Sequence, residues 1–239
     1  MLCAAKRKLI GSDFSNYGVC FISKFFVCVT GNIGSGKTTV ANLIESIFDF
    51  KKYEEVVENN PYLPLFYEDM KKWSYKIQRY FLMTRFIAHE NISMSQHSSV
   101  QDRSVYEDMA IFAPLQIKMG YFSPEQAKRY NTFCDLVYQE LKPPDLLLYL
   151  RTSLPVLMER IRKRARDYEA DLLRPGNPYM EQLQLLYEKW INSYNLGPKM
   201  IVNTDSLNFV DNPDDVRILV NQIKALLMRK ESKLSKFTK

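Results

Sequence analysis

Apolar and polar positions follow two rhythms along the chain. Short unbroken runs rich in β-branched and aromatic residues read as buried strands. Runs with apolar residues every three or four positions read as helices. Phe25–Thr30 (FFVCVT) is of the first kind and ends in a glycine loop. A helix from about Lys37 to Phe48 follows, with Val40, Leu43, Ile44 and Ile47 on one face. Tyr53–Val57 is expected as a short second strand. The stretch from Pro61 to His97 is expected to be mostly helical, with Pro64 near a helix start. Ser99–Asp102 reads as a third short strand, followed by helices at about Val105–Met119 and Pro124–Leu141. Ser123-Pro124 opens the second of these and Pro143-Pro144 closes it. Asp145–Leu150 (DLLLYL) is an apolar strand, and Leu154–Arg166 is an arginine-rich helix. Residues 167–178 read as a polar loop holding Pro175-Gly176-Asn177-Pro178. A helix at about Tyr179–Asn195, a strand at Lys199–Val202 and a helix at about Asp214–Leu227 complete the pattern.

Strands alternating with helices predict an α/β fold: a five-stranded parallel sheet with helices on both faces. Ligands of such sheets bind at the carboxyl ends of the strands, so the residues just after each strand carry the functional argument.

Composition narrows the class. The 239 residues are 46% hydrophobic and 25% charged, which is ordinary globular usage and excludes disorder as the overall state. No apolar run approaches the ~20 residues that cross a bilayer. Cys3, Cys20, Cys28 and Cys134 form neither a CxxC nor a metal-ligand spacing, and a reducing compartment, the cytoplasm, fits them. The net charge of +6 is concentrated at the ends. Lys6, Arg7, Lys8 and Lys24 lie in residues 1–24, and Arg229, Lys230, Lys233, Lys236 and Lys239 in residues 228–239, leaving the body near neutral. Two solvated tails flanking a domain at 25–227 are expected, with no nucleic-acid face and no membrane attachment. The basic start also admits an organelle-targeting reading, although Gly11-Ser12-Asp13 interrupts any secretory apolar region.

One motif carries chemistry on its own. Gly31-Asn32-Ile33-Gly34-Ser35-Gly36-Lys37-Thr38, followed by Thr39, matches GxxxxGK[ST] and sits between a predicted strand and a predicted helix. Glycines let backbone N–H groups turn inward around phosphate, and the helix N-terminus adds positive potential. Lys37 can reach the β- and γ-phosphates of a bound nucleotide, and Thr38 can ligate Mg²⁺. Asp145–Leu150 runs into Arg151 without a carboxylate. The metal-facing acid is therefore sought in Asp102, followed at once by Arg103 after the third strand.

The acceptor side is less local. Glu54, Glu55 and Glu58 follow or end the second strand and compete for the role of general base. Gln78 and Arg85 are two turns apart on one helix face, and Asp108 and Phe112 are one turn apart on another. Together they offer an amide, an Arg–Asp pair and a stacking ring, which suits a nucleobase. Arg160, Arg162, Arg164 and Arg166, with Lys163, precede the 167–178 loop and could close over a triphosphate as a lid.

These residues resemble the deoxyribonucleoside kinase family over about residues 25–227, and within it the bacterial deoxyadenosine/deoxyguanosine kinase branch, related to deoxycytidine kinase. The resemblance rests on the phosphate loop and on Tyr67 through Trp73-Ser74-Tyr75-Lys76-Ile77-Gln78 to Arg85. It rests further on Asp102-Arg103-Ser104-Val105-Tyr106-Glu107-Asp108 with Ile111-Phe112-Ala113, and on Leu148-Tyr149-Leu150-Arg151-Thr152-Ser153 with the arginine helix. It implies the P-loop kinase fold, a homodimer, and ATP-dependent, Mg²⁺-assisted 5′-phosphorylation of a deoxyribonucleoside in nucleotide salvage. Retention of Arg85 and Asp108 resembles members acting on purine deoxynucleosides or deoxycytidine.

Position by position, the resemblance implies that Glu55 is the general base, that Asp102 serves Mg²⁺ and that Arg103 holds the acceptor region and phosphates. Gln78, Arg85 and Asp108 read the base and Phe112 stacks on it. Tyr67 meets the 3′-hydroxyl, and Arg164 and Arg166 belong to the lid. Two departures stand out. Val56 replaces the proline that usually follows the catalytic glutamate. Pro178 occupies the place before Tyr179 where relatives often have a second 3′-hydroxyl ligand. A nucleoside monophosphate kinase, such as a thymidylate kinase, and a P-loop switch without kinase chemistry are the alternatives.

Overall fold

The structure, a computed structural model, describes residues 21, 23–54 and 60–237. Five parallel strands form one sheet: β1 (Phe26–Thr30), β2 (Lys51–Tyr53), β3 (Ser99–Asp102), β4 (Leu146–Arg151) and β5 (Lys199–Asn203), in the order β2-β3-β1-β4-β5. The helices are α1 (Lys37–Phe48), α2 (Leu63–Glu68), α3 (Met70–Met94), α4 (Val105–Glu107), α5 (Ala113–Lys118), α6 (Pro124–Glu140), α7 (Leu154–Arg164), α8 (Tyr179–Ser193) and α9 (Pro213–Phe237). The parallel α/β fold expected from the alternating pattern is present.

Central β1 explains the two-sided packing. Its side chains alternate between faces, as the strand period requires. Phe25, Val27 and Val29 pack on one side with Val40, Ile44 and Phe48 of α1 and with Val216, Val220, Ile223 and Leu227 of α9. Phe26 and Cys28 join the other side, with Leu147 and Tyr149 of β4, Ile77 and Phe81 of α3, and Leu183, Tyr187 and Ile191 of α8. Each fully buried aliphatic or aromatic side chain here contributes about 1.5–3 kcal/mol relative to exposure. A further layer joins Leu82 of α3 to Tyr130 and Val137 of α6.

Several predicted boundaries shift. The second strand lies at Lys51–Tyr53 rather than Tyr53–Val57, fixed by parallel pairing of Lys51 with Ser99 and Tyr53 with Gln101. It is a short edge strand beginning with two lysines, so apolar patterning does not mark it. The expected helix at 105–119 contains a π-helical turn at Asp108–Phe112. Pro114 has no N–H to return to residue 110, and the Ala113 N–H instead reaches back five residues to Asp108 O. The polar loop expected at 167–178 begins as a 3₁₀ helix, Asp167–Leu173, with Leu172 buried. The last helix runs past Leu227 to Phe237. Its extension is not wholly solvated: Lys230 forms an ion pair with Asp145, and Glu231 accepts a hydrogen bond from Ser23 N at 2.9 Å. Residues 1–20, and with them most of the expected N-terminal extension, lie outside the described residues. No helix among the described residues is long and apolar enough to cross a membrane.

Candidate active site

The phosphate loop leaves β1 at Thr30 and enters α1 at Lys37. Gly31 and Gly34 adopt φ values of 151° and 84°. A Cβ on Gly31 would sit 2.6 Å from Ser35 Oγ and 2.9 Å from Leu150 O, so only glycine fits against β4. Lys37 Nζ donates to Asn32 O at 3.0 Å, which folds its ammonium over the loop. Asn32 itself is turned away from the cavity side: its amide donates to Gln184 Oε1 at 3.0 Å, and its carbonyl oxygen Oδ1 accepts from Ile33 N at 2.8 Å.

At the end of β3, Asp102 Oδ2 accepts from Thr38 Oγ1 at 2.6 Å. Two hard oxygen donors, one from the loop and one from the neighbouring strand, thus meet at the expected metal position, a donor set that fits Mg²⁺. Arg103, next in the chain, has φ of 69°, an uncommon left-handed conformation for a non-glycine residue. Its guanidinium donates to Tyr187 OH at 2.7 Å and stands 4.7 Å over the Phe112 ring.

One cavity of about 620 Å³ is lined by Ile33, Gly34, Gly36, Lys37, Thr38 and Thr39, by Asp102 and Arg103, and by Tyr67, Gln78, Arg85, Asp108 and Phe112. The two sequence-predicted groups, phosphate loop and nucleobase set, therefore share one space. Gly31, Asn32 and Ser35 shape the loop from behind and are buried. Glu55 and Glu58 lie outside the described residues. Glu54 lines the cavity, but its carboxylate is mostly exposed and pairs with Lys52 at 2.7 Å.

The end of the cavity expected to take the nucleobase is made of buried polar groups. Arg85 and Asp108 form an ion pair, and both are almost completely buried. Burial pushes the Asp108 carboxyl up to about 6, although the Arg85 cation pulls it back. Arg85 also stands 4.2 Å over the Phe81 ring, which holds its plane. Gln78 Oε1 and Asp108 Oδ2 are buried without a hydrogen-bond partner among the described residues. Such groups are costly to bury unless a ligand completes them.

The 3₁₀ segment after the arginine helix delivers a residue not expected from the sequence. Glu169, in the 3₁₀ segment, is 4% exposed, lines the cavity and holds Arg164 at 2.6 Å and Arg166 at 3.7 Å. Its negative charge acts on the buried Tyr67 phenol, whose pKa is raised chiefly by burial, while Tyr168 stacks on Tyr67 with ring centroids 5.5 Å apart. A carboxylate thus stands beside Tyr67 despite Pro178. The signal available in the sequence was an acid three residues after Arg166. Arg160 also lines the cavity and donates to Thr204 O, just past β5, at 2.7 Å. Arg162 and Lys163 point to solvent.

A phosphate loop at the carboxyl edge of a parallel sheet, with Asp102 and Arg103 at the end of the adjacent strand and Arg160, Arg164 and Arg166 lining the same cavity, fits the P-loop kinase class. The chain belongs to the deoxynucleoside kinase family, whose model matches residues 27–228, and is an enzyme of that class. It is 34% identical to a deoxyguanosine kinase of Lactobacillus johnsonii, over 84% of this chain and 92% of that one. It is 32% identical to a deoxyadenosine/deoxycytidine kinase of Bacillus subtilis, over 87% and 95%. Among solved structures it resembles a deoxyadenosine kinase from M. mycoides with bound dATP. The TM-score is 0.71 at 27% identity, covering 84% of this chain and 99% of that one.

Proposed function

We propose that this kinase transfers the γ-phosphoryl group of ATP to the 5′-hydroxyl of purine deoxyribonucleosides, deoxyadenosine and deoxyguanosine, with deoxycytidine as a further acceptor, in nucleotide salvage. The observation that carries this reading is the buried Arg85–Asp108 pair in the same cavity as the phosphate loop. Such a pair suits the polar edge of a base, Gln78 supplies a second amide contact, and Phe112 supplies a face.

In this reading Tyr67 and Glu169 address the sugar 3′-hydroxyl, which aims the 5′-hydroxyl at the loop. Glu55 takes the 5′-hydroxyl proton as general base. Lys37, Arg103, Arg164 and Arg166 carry the charge that spreads over the transferring group. Backbone N–H groups of Gly34, Ser35, Gly36, Lys37, Thr38 and Thr39 wrap the phosphates. Thr38 and Asp102 would hold Mg²⁺, which neutralises phosphate charge when bound.

Met83, Ile87 and Met94 on α3 and Leu136 on the adjacent α6 are exposed apolar side chains, and they support a homodimer formed through these helices. The free thiols Cys28 and Cys134 fit a cytoplasmic location.

The test is the initial rate of ATP consumption with Mg²⁺ and each of deoxyadenosine, deoxyguanosine, deoxycytidine and thymidine. Purine-dependent turnover lost in Glu55→Gln is expected. Turnover surviving that change moves the base to Glu58. Turnover with monophosphates alone rejects the nucleoside acceptor.

A further inference from the structure

Glu107 stands behind the cavity wall and is completely buried, as few glutamates are. One oxygen does a familiar job. Oε2 accepts from Ser104 N at 2.7 Å and Ser104 Oγ at 3.2 Å, closing a capping box on α4. A capping-box carboxylate needs no more than that. Here the other oxygen gathers three donors from three separate parts of the fold. Oε1 accepts from Tyr187 OH of α8 at 2.7 Å, from Arg103 Nη1 at 3.3 Å and from Gly31 N, the first amide of the phosphate loop, at 3.4 Å. Tyr187 OH in turn accepts from Arg103 Nη1 at 2.7 Å, so the guanidinium is gripped both directly and through the phenol.

We propose that Glu107 is a positioning residue that fixes Arg103 relative to the phosphate loop, setting the distance between acceptor and donor. The physical need is visible in the backbone. Arg103 has a left-handed φ, which is costly for a non-glycine residue and persists only where its surroundings over-determine it. Its N–H is tied to Val29 O at 2.9 Å and its side chain is ringed by Glu107, Tyr187 and Phe112. Gly31 donates its N–H to the same carboxylate, so any movement of Glu107 displaces loop and arginine together. Tyr187 is suited to be the relay. Its ring is stacked on Tyr149 of β4 at 6.0 Å, so its hydroxyl is held by the sheet.

The proposal rests on the reading that Arg103 faces the transferring group, and the experiment separates the two. Steady-state kcat and both KM values, with melting temperatures, are measured for Glu107→Gln, Tyr187→Phe, Ser104→Ala and Arg103→Lys. Tyr187→Phe keeps the stacked ring and removes only the relay hydroxyl. Misplacement of a charge-stabilising group lowers kcat by about tenfold to a hundredfold while KM for ATP and nucleoside stay within about twofold. That pattern is expected in Tyr187→Phe and Glu107→Gln. The double variant is expected to lose no more than the worse single one, since the two act as a unit. Ser104→Ala breaks the capping side alone and is expected to lower the melting temperature with kcat near the parent value. Parent-like kcat in Tyr187→Phe, with Glu107→Gln losing only thermal stability, would reduce Glu107 to a cap and overturn the proposal. If Glu107→Gln does not fold, Tyr187→Phe decides alone. Parent-like kcat in Arg103→Lys sinks the reading of Arg103 itself, and the role of Glu107 falls with it.

Discussion

The two ends of the cavity are built in opposite ways. The phosphate loop is a single stretch, Gly31 to Thr39, whose polar groups facing the cavity are mostly backbone amides and one lysine. The end proposed for the nucleoside takes Tyr67 from α2, Gln78 and Arg85 from α3, Asp108 and Phe112 from the π-turn, and Glu169 from the 3₁₀ segment. Phosphate is the same in every nucleotide, so a backbone cradle serves it. A base must be told from other bases, which takes side chains with fixed donor and acceptor patterns. Burying those side chains is expensive, and the incomplete hydrogen bonding of Gln78 and Asp108 shows where that cost sits.

The sharpest way to break this contrast is at the nucleobase end. Arg85→Leu leaves Asp108 buried without its cation and should destabilise the fold by about 3–5 kcal/mol in denaturant titration. Adding Asp108→Ala should recover most of that stability while turnover of deoxyadenosine and deoxyguanosine stays lost. A double variant no more stable than the single one would mean that the pair is not the source of the cost. Nucleotide binding by the double variant should persist, because no part of the phosphate loop is touched.

The complementary change comes next in size. Lys37→Ala should lower kcat by about 10²–10³-fold, equivalent to ~2.7–4 kcal/mol, since it removes a preorganised charge from the transferring group. Nucleoside affinity measured without ATP should remain near the parent value. A tenfold loss of that affinity would show that the two ends are not separable.

The smallest effect tests the charge of Asp108. Its pKa in the fold, about 6, lies above its ordinary value of 3.8, because burial disfavours the anion. Above about pH 6 the carboxylate is present and paired with Arg85. As pH falls through 6 the carboxylate takes up a proton, and the ion pair is lost. KM for a purine deoxynucleoside should therefore rise several-fold between pH 7 and 5 while KM for ATP changes less. A nucleoside KM flat across that range would place the titration of Asp108 elsewhere.

Much of this architecture was legible in the chain. β1, α1, β3 and β4 fall within about a residue of their expected places, because fully buried strands and a strongly amphipathic helix write their burial into the residue types. The phosphate loop was legible because its function needs glycines at fixed spacing between a strand and a helix. β2 was misplaced because a short edge strand with two lysines has little to bury, and pairing with β3 decides it. The π-turn left a trace in Pro114, but a proline in the middle of a predicted helix reads equally well as a kink. Gln78, Arg85, Asp108 and Phe112 were legible as face-sharing pairs, although periodicity alone could not bring two helices to one cavity.

The sequence by itself determined the strand–loop–helix of the phosphate site, the parallel α/β class and the residue pairs that share a helix face, since each depends on neighbours within a few positions. Tertiary structure alone decided that Glu169 enters the cavity beside Tyr67, that Glu107 joins Gly31 to Arg103, and that the basic C-terminal helix docks on Asp145. Those contacts join residues from separate elements. Whether a carboxylate is solvated or buried against a cation depends on which surfaces the folded sheet brings together, and no local pattern encodes that.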